Sequence, residues 1–219
     1  YMVIAGKRCK KQLEKHCPDK HLVHRIDNGI SLPDKSVRLH SKDNELINSQ
    51  IIENQNFLKS YAASSLRLLA LARLEPQKNP QRFLEWAEWV AESVSEAHFL
   101  WVGDGTLRQE WEYEIEQRKL NEFVFCAGWQ TETYTFLQSA HVYFHTADYE
   151  GQPYALLEAM AHGLPCFLPA QLAEEMELDE HSGIVPVDDN DPVSALKVLQ
   201  DKQKLQELGE AARLRAERD

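Results

Sequence analysis

The sequence predicts an α/β fold, a parallel sheet with helices on both faces. Three observations carry that expectation. Short apolar runs of strand length recur at 66–71, 98–102, 123–126, 141–145, 166–168 and 184–187. Segments with helical patterning alternate with them, at 80–94, 107–119, 131–138, 153–162, 192–199 and 202–215. Strand alternating with helix builds βαβ units with right-handed crossovers and a covered sheet. Thirdly, Gly103, Gly128 and Glu150 each follow the carboxyl end of a run, which is where such sheets hold ligands.

Taken in order, residues 2–5 and 7–16 read as a strand stub and an amphipathic helix, and 21–26 as another strand. Residues 31–65 are polar and lack sustained alternation, although 45–61 suits one helix. The run Leu68-Leu69-Ala70-Leu71-Ala72 then delivers two cations, Arg73 and Lys78, at its carboxyl end. The next run ends in Gly103-Asp104-Gly105, a turn opening a helix at Thr106, with Asp104 suited to cap it. A lone GxG is a weak signal, and Gln109 stands where a dinucleotide fingerprint has its third glycine. The run at 123–126 leads to Gly128, Trp129 and Gln130. Cys126 and Cys166 fall inside apolar runs, where a free cysteine behaves as a small core residue.

The run at 141–145 leads to the most informative segment, Glu150-Gly151-Gln152-Pro153-Tyr154-Ala155-Leu156-Leu157-Glu158. Gly151 lets backbone approach a ligand closely. Pro153 suits the first helical position, where its missing N–H has no partner to lose. The amides of Tyr154, Ala155 and Leu156 then lie at a helix start carrying partial positive charge, a seat for phosphate. Glu150 and Glu158 bracket that seat, placed to hold hydroxyls of a sugar and of a ribose at the two ends of a diphosphate. Glu158 lies among small and apolar helix positions and needs a hydrogen-bonding partner there. Arg73 and Lys78 suit the diphosphate itself. Together these residues describe nucleotide-sugar chemistry.

Composition bounds the partners. Hydrophobic content of 43% and charged content of 27% over 219 residues fit an ordinary globular chain of one large or two small domains. The net charge of −11 argues against nucleic acid, whose backbone demands clustered Lys and Arg. Basic residues gather instead at Lys7, Arg8, Lys10, Lys11 and Lys15, a patch that fits a solvated helix face or contact with an anionic membrane. No apolar run approaches the roughly 20 residues that span a bilayer. Four cysteines without C-x-x-C or zinc spacing suit a reducing cytoplasm and no metal site.

The Glu150–Glu158 segment resembles the E-x7-E motif of the retaining group 1 (family 4) glycosyltransferases of GT-B fold. Further motifs recur in the family's order: Asn28-Gly29-Ile30, Arg73-Leu74 with Lys78, Gly103-Asp104-Gly105, Phe123 to Trp129, and Leu156-Leu157-Glu158-Ala159-Met160-Ala161 before Gly163-Leu164-Pro165. The resemblance implies a Rossmann-like C-terminal donor domain at 66–219, a linker and domain entry at 28–65, and the end of an N-terminal acceptor domain at 1–27. It implies that Glu150 faces the donor sugar, Glu158 the ribose, and Arg73 and Lys78 the diphosphate, with no bound metal or other cofactor. The Gly103-Asp104-Gly105 turn would shape the pocket beside the nucleotide, and residues 125–130, Gly128 and Gln130 among them, would present backbone groups to the base. Trp129 suits packing on the base and a place in the core equally. Gly151, Gln152, Tyr154, Ala155 and Leu156 complete the expected donor site.

The implied acceptor is a glycan or lipid-linked molecule held by the N-terminal domain, at the cytoplasmic side or inner membrane face. The chain by itself would bind donor and transfer no sugar. The alternatives are a non-catalytic module binding a nucleotide-sugar or a partner, and a nucleotide-sugar epimerase. One stretch departs from the family: Pro169-Ala170-Gln171-Leu172-Ala173-Glu174 stands where two glycines and a glutamate are usual. Histidines 145 and 162 are expected at the surface or behind the site.

Overall fold

The structure is a computed structural model that describes residues 2–4, 23–25, 61, 66–94, 96–151 and 153–218. The strands are β1 (Met2–Ile4), β2 (Val23–Arg25), β3 (Leu66–Leu71), β4 (Ala97–Val102), β5 (Val124–Cys126), β6 (Val142–Phe144), β7 (Cys166–Pro169) and β8 (Ile184–Val187). The described helices are α1 (Pro80–Ser93), α2 (Arg108–Gln117), α3 (Tyr134–Ser139), α4 (Tyr154–Ala161), α5 (Ala170–Met176), α6 (Val193–Gln200) and α7 (Lys202–Arg218). Strands β1 and β2 fall where two N-terminal strands are expected, and they pair in parallel. The helices expected at 7–16 and 45–61 lie outside the described residues.

Strands β3 to β8 form one wholly parallel sheet in the order β5-β4-β3-β6-β7-β8. The chain therefore winds outward from β3 in one direction, returns to the centre, and winds outward from β6 in the other. That is the doubly wound order of Rossmann-like domains, with its topological switch point between β3 and β6.

Each strand divides its side chains between two cores, because successive residues point to opposite faces. Leu68, Ala70, Phe99, Trp101, Phe144, Phe167, Val185 and Val187 enter one core. Leu69, Leu71, Leu100, Val102, Tyr143, Cys166, Leu168 and Ile184 enter the other. The first core is aromatic: Phe83 of α1 meets Trp101 edge-on at 5.3 Å, and Trp86 meets Phe144 at 5.2 Å. Such edge contacts add about 0.5–1.5 kcal/mol each beyond area burial. Helix α1 faces it with Phe83, Leu84, Trp86, Ala87 and Val90, one stripe of a helix. Asn79 accepts the Arg82 amide at 3.0 Å, and Pro80 fills the helix start. Cys126 and Cys166 are both buried and reduced, as small core residues.

Local readings need correction in three places. Asp104 does not cap α2: its Oδ1 accepts the adjacent Gly105 amide at 2.8 Å, its Oδ2 meets Arg108, and Leu107 is the cap residue. Pro153 is the cap residue of α4 rather than its first helical residue. The departing stretch after β7, absent from the expected helical segments, is helical: α5 begins directly at Ala170, following Pro169 and burying Leu172 and Ala173. Its residues are good helix formers, and Glu177, in the left-handed region at φ 56°, ends it.

Candidate functional site

Two loops meet at the switch point, 72–79 after β3 and 145–151 after β6. Hydrogen bonds zip them together. The Asp148 amide donates to the Gln77 carbonyl at 3.0 Å, and Gln77 Nε2 donates to the Tyr149 carbonyl at 3.0 Å. Thr146 Oγ1 donates to the Lys78 carbonyl at 2.8 Å. Asn79 Nδ2 donates to Asp148 Oδ1 at 2.9 Å. Arg82 clamps the outside of this junction, bonding the Thr146 carbonyl at 2.8 Å, Asp148 at 2.7 Å and Asp189 beyond β8 at 3.0 Å.

At the centre of the junction, Lys78 Nζ pairs with Glu150 Oε1. The Glu150 side chain is only 7% exposed. His145 Nε2 lies 3.3 Å from the same oxygen, in charge-contact range but without the alignment of a hydrogen bond. Burial pushes the Glu150 pKa up, and His145 and Lys78 outweigh it, holding the carboxyl below its ordinary range. Glu150 is thus an anion gripped from two sides.

Glu158 is its opposite. It sits on α4 among Leu156, Ala159 and Met160, which are buried. Its carboxylate pairs with no cation among the described residues, and burial alone pushes its pKa up. A half-buried carboxylate that no described cation holds keeps its oxygens available to accept hydroxyls from a ligand. The first bond of the α4 ladder runs from the Leu157 amide to the Pro153 carbonyl at 3.2 Å. The amides of Tyr154, Ala155 and Leu156 precede that bond, as the phosphate-seat reading requires.

The glycine turns shape the loop that carries Arg73. Gly103 adopts φ +139°, and a Cβ there would lie 1.9 Å from the Ala72 carbonyl oxygen. The Ala72 amide donates to the Val102 carbonyl and the Leu74 amide to the Asp104 carbonyl, both at 3.0 Å. Trp101 Nε1 donates to the Ala72 carbonyl at 2.9 Å. Arg73 is therefore held by its neighbours on both sides while its own side chain is exposed. Gly103 also bridges to Gly128, which takes φ +68° beside Arg108. Trp129 is 71% exposed, so the core reading of this residue is excluded. Gln130 Nε2 turns back to the Ala127 carbonyl at 2.8 Å. Gln152 lies outside the described residues, and Gly151 is half-buried next to Glu150.

Of the two places the sequence left open for His145, the surface or behind the site, the structure gives the second: it is buried and touches Glu150. Its place at the carboxyl end of the β6 run was the available signal. His162 is half-buried, its Nδ1 2.8 Å from the Glu158 carbonyl and its ring edge-on to Tyr134 at 5.1 Å. Among the described residues, no group of three His, Cys, Asp or Glu side chains is placed to hold a metal ion. No described helix is long and apolar enough to cross a membrane.

Comparison with known proteins agrees with this architecture. The model of the family described as glycosyl transferases group 1 matches residues 53–215. A UDP-Gal:alpha-D-GlcNAc-diphosphoundecaprenol alpha-1,3-galactosyltransferase of Escherichia coli is 34% identical over 101 residues, covering 45% of this chain and 26% of the relative. Among solved structures, WaaG, a glycosyltransferase involved in lipopolysaccharide biosynthesis, superposes with TM-score 0.77 at 18% identity. The match covers 99% of this chain and 58% of WaaG. Anabaena HepE in complex with UDP and glucose gives TM-score 0.77 at 15% identity, covering 98% of this chain and 57% of HepE. These 219 residues thus span about a quarter of the Escherichia coli relative's length and under three fifths of either structure.

Proposed function

The chain belongs to the group 1 glycosyl transferases, and on that premise we propose that it is the donor-binding half of a retaining enzyme. Its donor is a nucleoside diphosphate sugar and its acceptor a glycan or lipid-linked molecule. Residues 66–219 form the donor domain, 28–65 lead into it, and 1–27 end an acceptor-side domain. The observation that carries the reading is the switch-point junction: Lys78 and a buried Glu150 paired beside the start of α4, with Arg73 exposed on the adjoining loop. UDP in the HepE structure supports a nucleoside diphosphate as the ligand of this fold.

In this proposal the amides of Tyr154, Ala155 and Leu156, with Arg73 and Lys78, hold the diphosphate. Glu158 accepts the ribose hydroxyls, and Glu150 accepts hydroxyls of the sugar. Trp129, exposed beyond β5, lies along the base. The bond from the sugar's anomeric carbon to the phosphate oxygen breaks as the acceptor oxygen forms its bond on the same face. The departing phosphate oxygen takes the acceptor's proton. Charge growing on the diphosphate is met by fixed amides and cations, which grip the transition state more strongly than the ground state. No metal is required by this scheme.

Calorimetry with UDP and UMP tests it. UDP should bind more tightly than UMP, each charge-assisted hydrogen bond to the second phosphate contributing about 1.5–3 kcal/mol. The double substitution Arg73→Ala with Lys78→Ala should remove most of the difference. Equal affinity for UDP and UMP would overturn the assignment.

A further inference from the structure

We infer that His145 is a positioning residue, taking over the Glu150 carboxylate by gaining a proton when a bound diphosphate draws Lys78 away. The inference rests on the nucleotide-sugar reading and goes beyond it. Lys78 and His145 both meet Oε1 of Glu150. One ammonium cannot neutralise a buried carboxylate and a diphosphate in full. If Lys78 turns to the phosphates, Glu150, 7% exposed, is left as a buried charge without its cation. It would then rise in pKa or change its place, and either outcome spoils a group meant to hold sugar hydroxyls.

His145 is built to prevent this. Its side chain is 5% exposed, and its Nε2 lies 3.3 Å from the carboxylate with no hydrogen bond of its own. The backbone around it is fixed: the His145 amide donates to the Phe167 carbonyl at 2.9 Å, and the Thr146 hydroxyl donates to the Lys78 carbonyl. Among the described residues, only Lys78 and His145 act on the Glu150 charge, and the other groups around the pair bring no second cation. Tyr143 of β6, 6.1 Å from the imidazole, and Cys166 of β7 are held neutral by burial. Glu158 of α4 carries no positive charge to lend, and Arg82 is committed to Asp148 and Asp189. A proton taken up from solvent by the imidazole ring supplies the missing charge. Imidazole is the side chain whose ordinary titration range makes that exchange available near neutral pH. No covalent bond other than N–H is formed or broken.

The test is calorimetric titration of the 219-residue chain with UDP at neutral pH, in buffers of different ionisation enthalpy. Wild type is compared with His145→Gln and, separately, Glu150→Gln. The first variant keeps a hydrogen-bond donor but takes no proton; the second keeps the imidazole but removes the anion. Differences between chains cancel the titration of UDP itself. Wild type should take up roughly half to one proton more per UDP than either variant. Its affinity should accordingly fall as pH rises, relative to His145→Gln. Equal proton uptake in wild type and His145→Gln, or uptake retained in Glu150→Gln, would overturn the role of His145 alone. Failure of wild type to bind UDP would overturn the nucleotide reading together with it.

Discussion

Glu150 and Glu158 lie on consecutive elements yet in opposite electrostatic settings. Glu150 is paired, and its pKa is held below the ordinary value despite burial. Glu158 is unpaired among the described residues, and burial raises its pKa. Their linkage to folding therefore has opposite sign. The lowered pKa of Glu150 gives stability that is present above its unfolded value and lost as pH falls through the folded one. The raised pKa of Glu158 favours the fold at acid pH, and that contribution disappears as pH rises through the folded value. Glu150→Gln should thus lower stability at neutral pH, by about 1.5–3 kcal/mol, the weight of hydrogen bonds to a charge. Glu158→Gln should raise the Tm at neutral pH while weakening UDP binding, whereas Glu150→Gln should leave UDP affinity undiminished. Thermal melts at neutral and acid pH, read beside UDP titrations, check both; a Glu158→Gln chain destabilised at neutral pH would contradict this division. The spacing of the two glutamates, with Arg73 and Lys78, was legible in the sequence because each sits beside a strand end or helix start. Their pairing was not: Lys78 and Glu150 are 72 residues apart and meet only because β3 and β6 are neighbours. The same adjacency hid the burial of His145.

At the scale of elements, the Gly-Asp-Gly turn matters for the loop beside it. Gly103 allows β4 to leave the sheet against the backbone of Ala72, which fixes where Arg73 stands. Gly103→Ala would force a Cβ into the Ala72 carbonyl and place an alanine at φ +139°. The expected cost is roughly 2–4 kcal/mol by urea denaturation, with weaker UDP binding through displaced Arg73. A loss under about 0.5 kcal/mol, ordinary for an exposed surface position, would show that the turn does not hold the loop. Every strand of the main sheet was legible as a short apolar run, and most helices as periodic segments between them. Helix α5 was not, because its seven residues are too short a segment for the helical period to stand out, although Ala170–Met176 favours helix by residue type. The expected start of α3 at 131 was also early: the helix begins at Tyr134, after an irregular turn that a short polar segment does not reveal. Asp104 misled for a local reason, since an aspartate can bond its neighbour's amide as readily as cap a helix.

Over the whole molecule, strand order converts scattered motifs into one site. The order β5-β4-β3-β6-β7-β8 brings the carboxyl ends of β3 and β6 together, with the loops from β4 and β5 alongside. Strand order is the property that alternation in sequence does not specify, because several parallel arrangements share the same pattern. The central claim is that a nucleoside diphosphate seats at this switch point, on the start of α4. The most direct measurement is a set of amide 1H–15N spectra of the chain titrated with UDP. The largest shifts should fall on Tyr154, Ala155 and Leu156, followed by Gly103 and Gly128, while Arg67 and His141 at the amino ends of β3 and β6 stay still. Shifts centred on those amino ends, or a saturating titration that leaves Tyr154–Leu156 unmoved, would contradict the account.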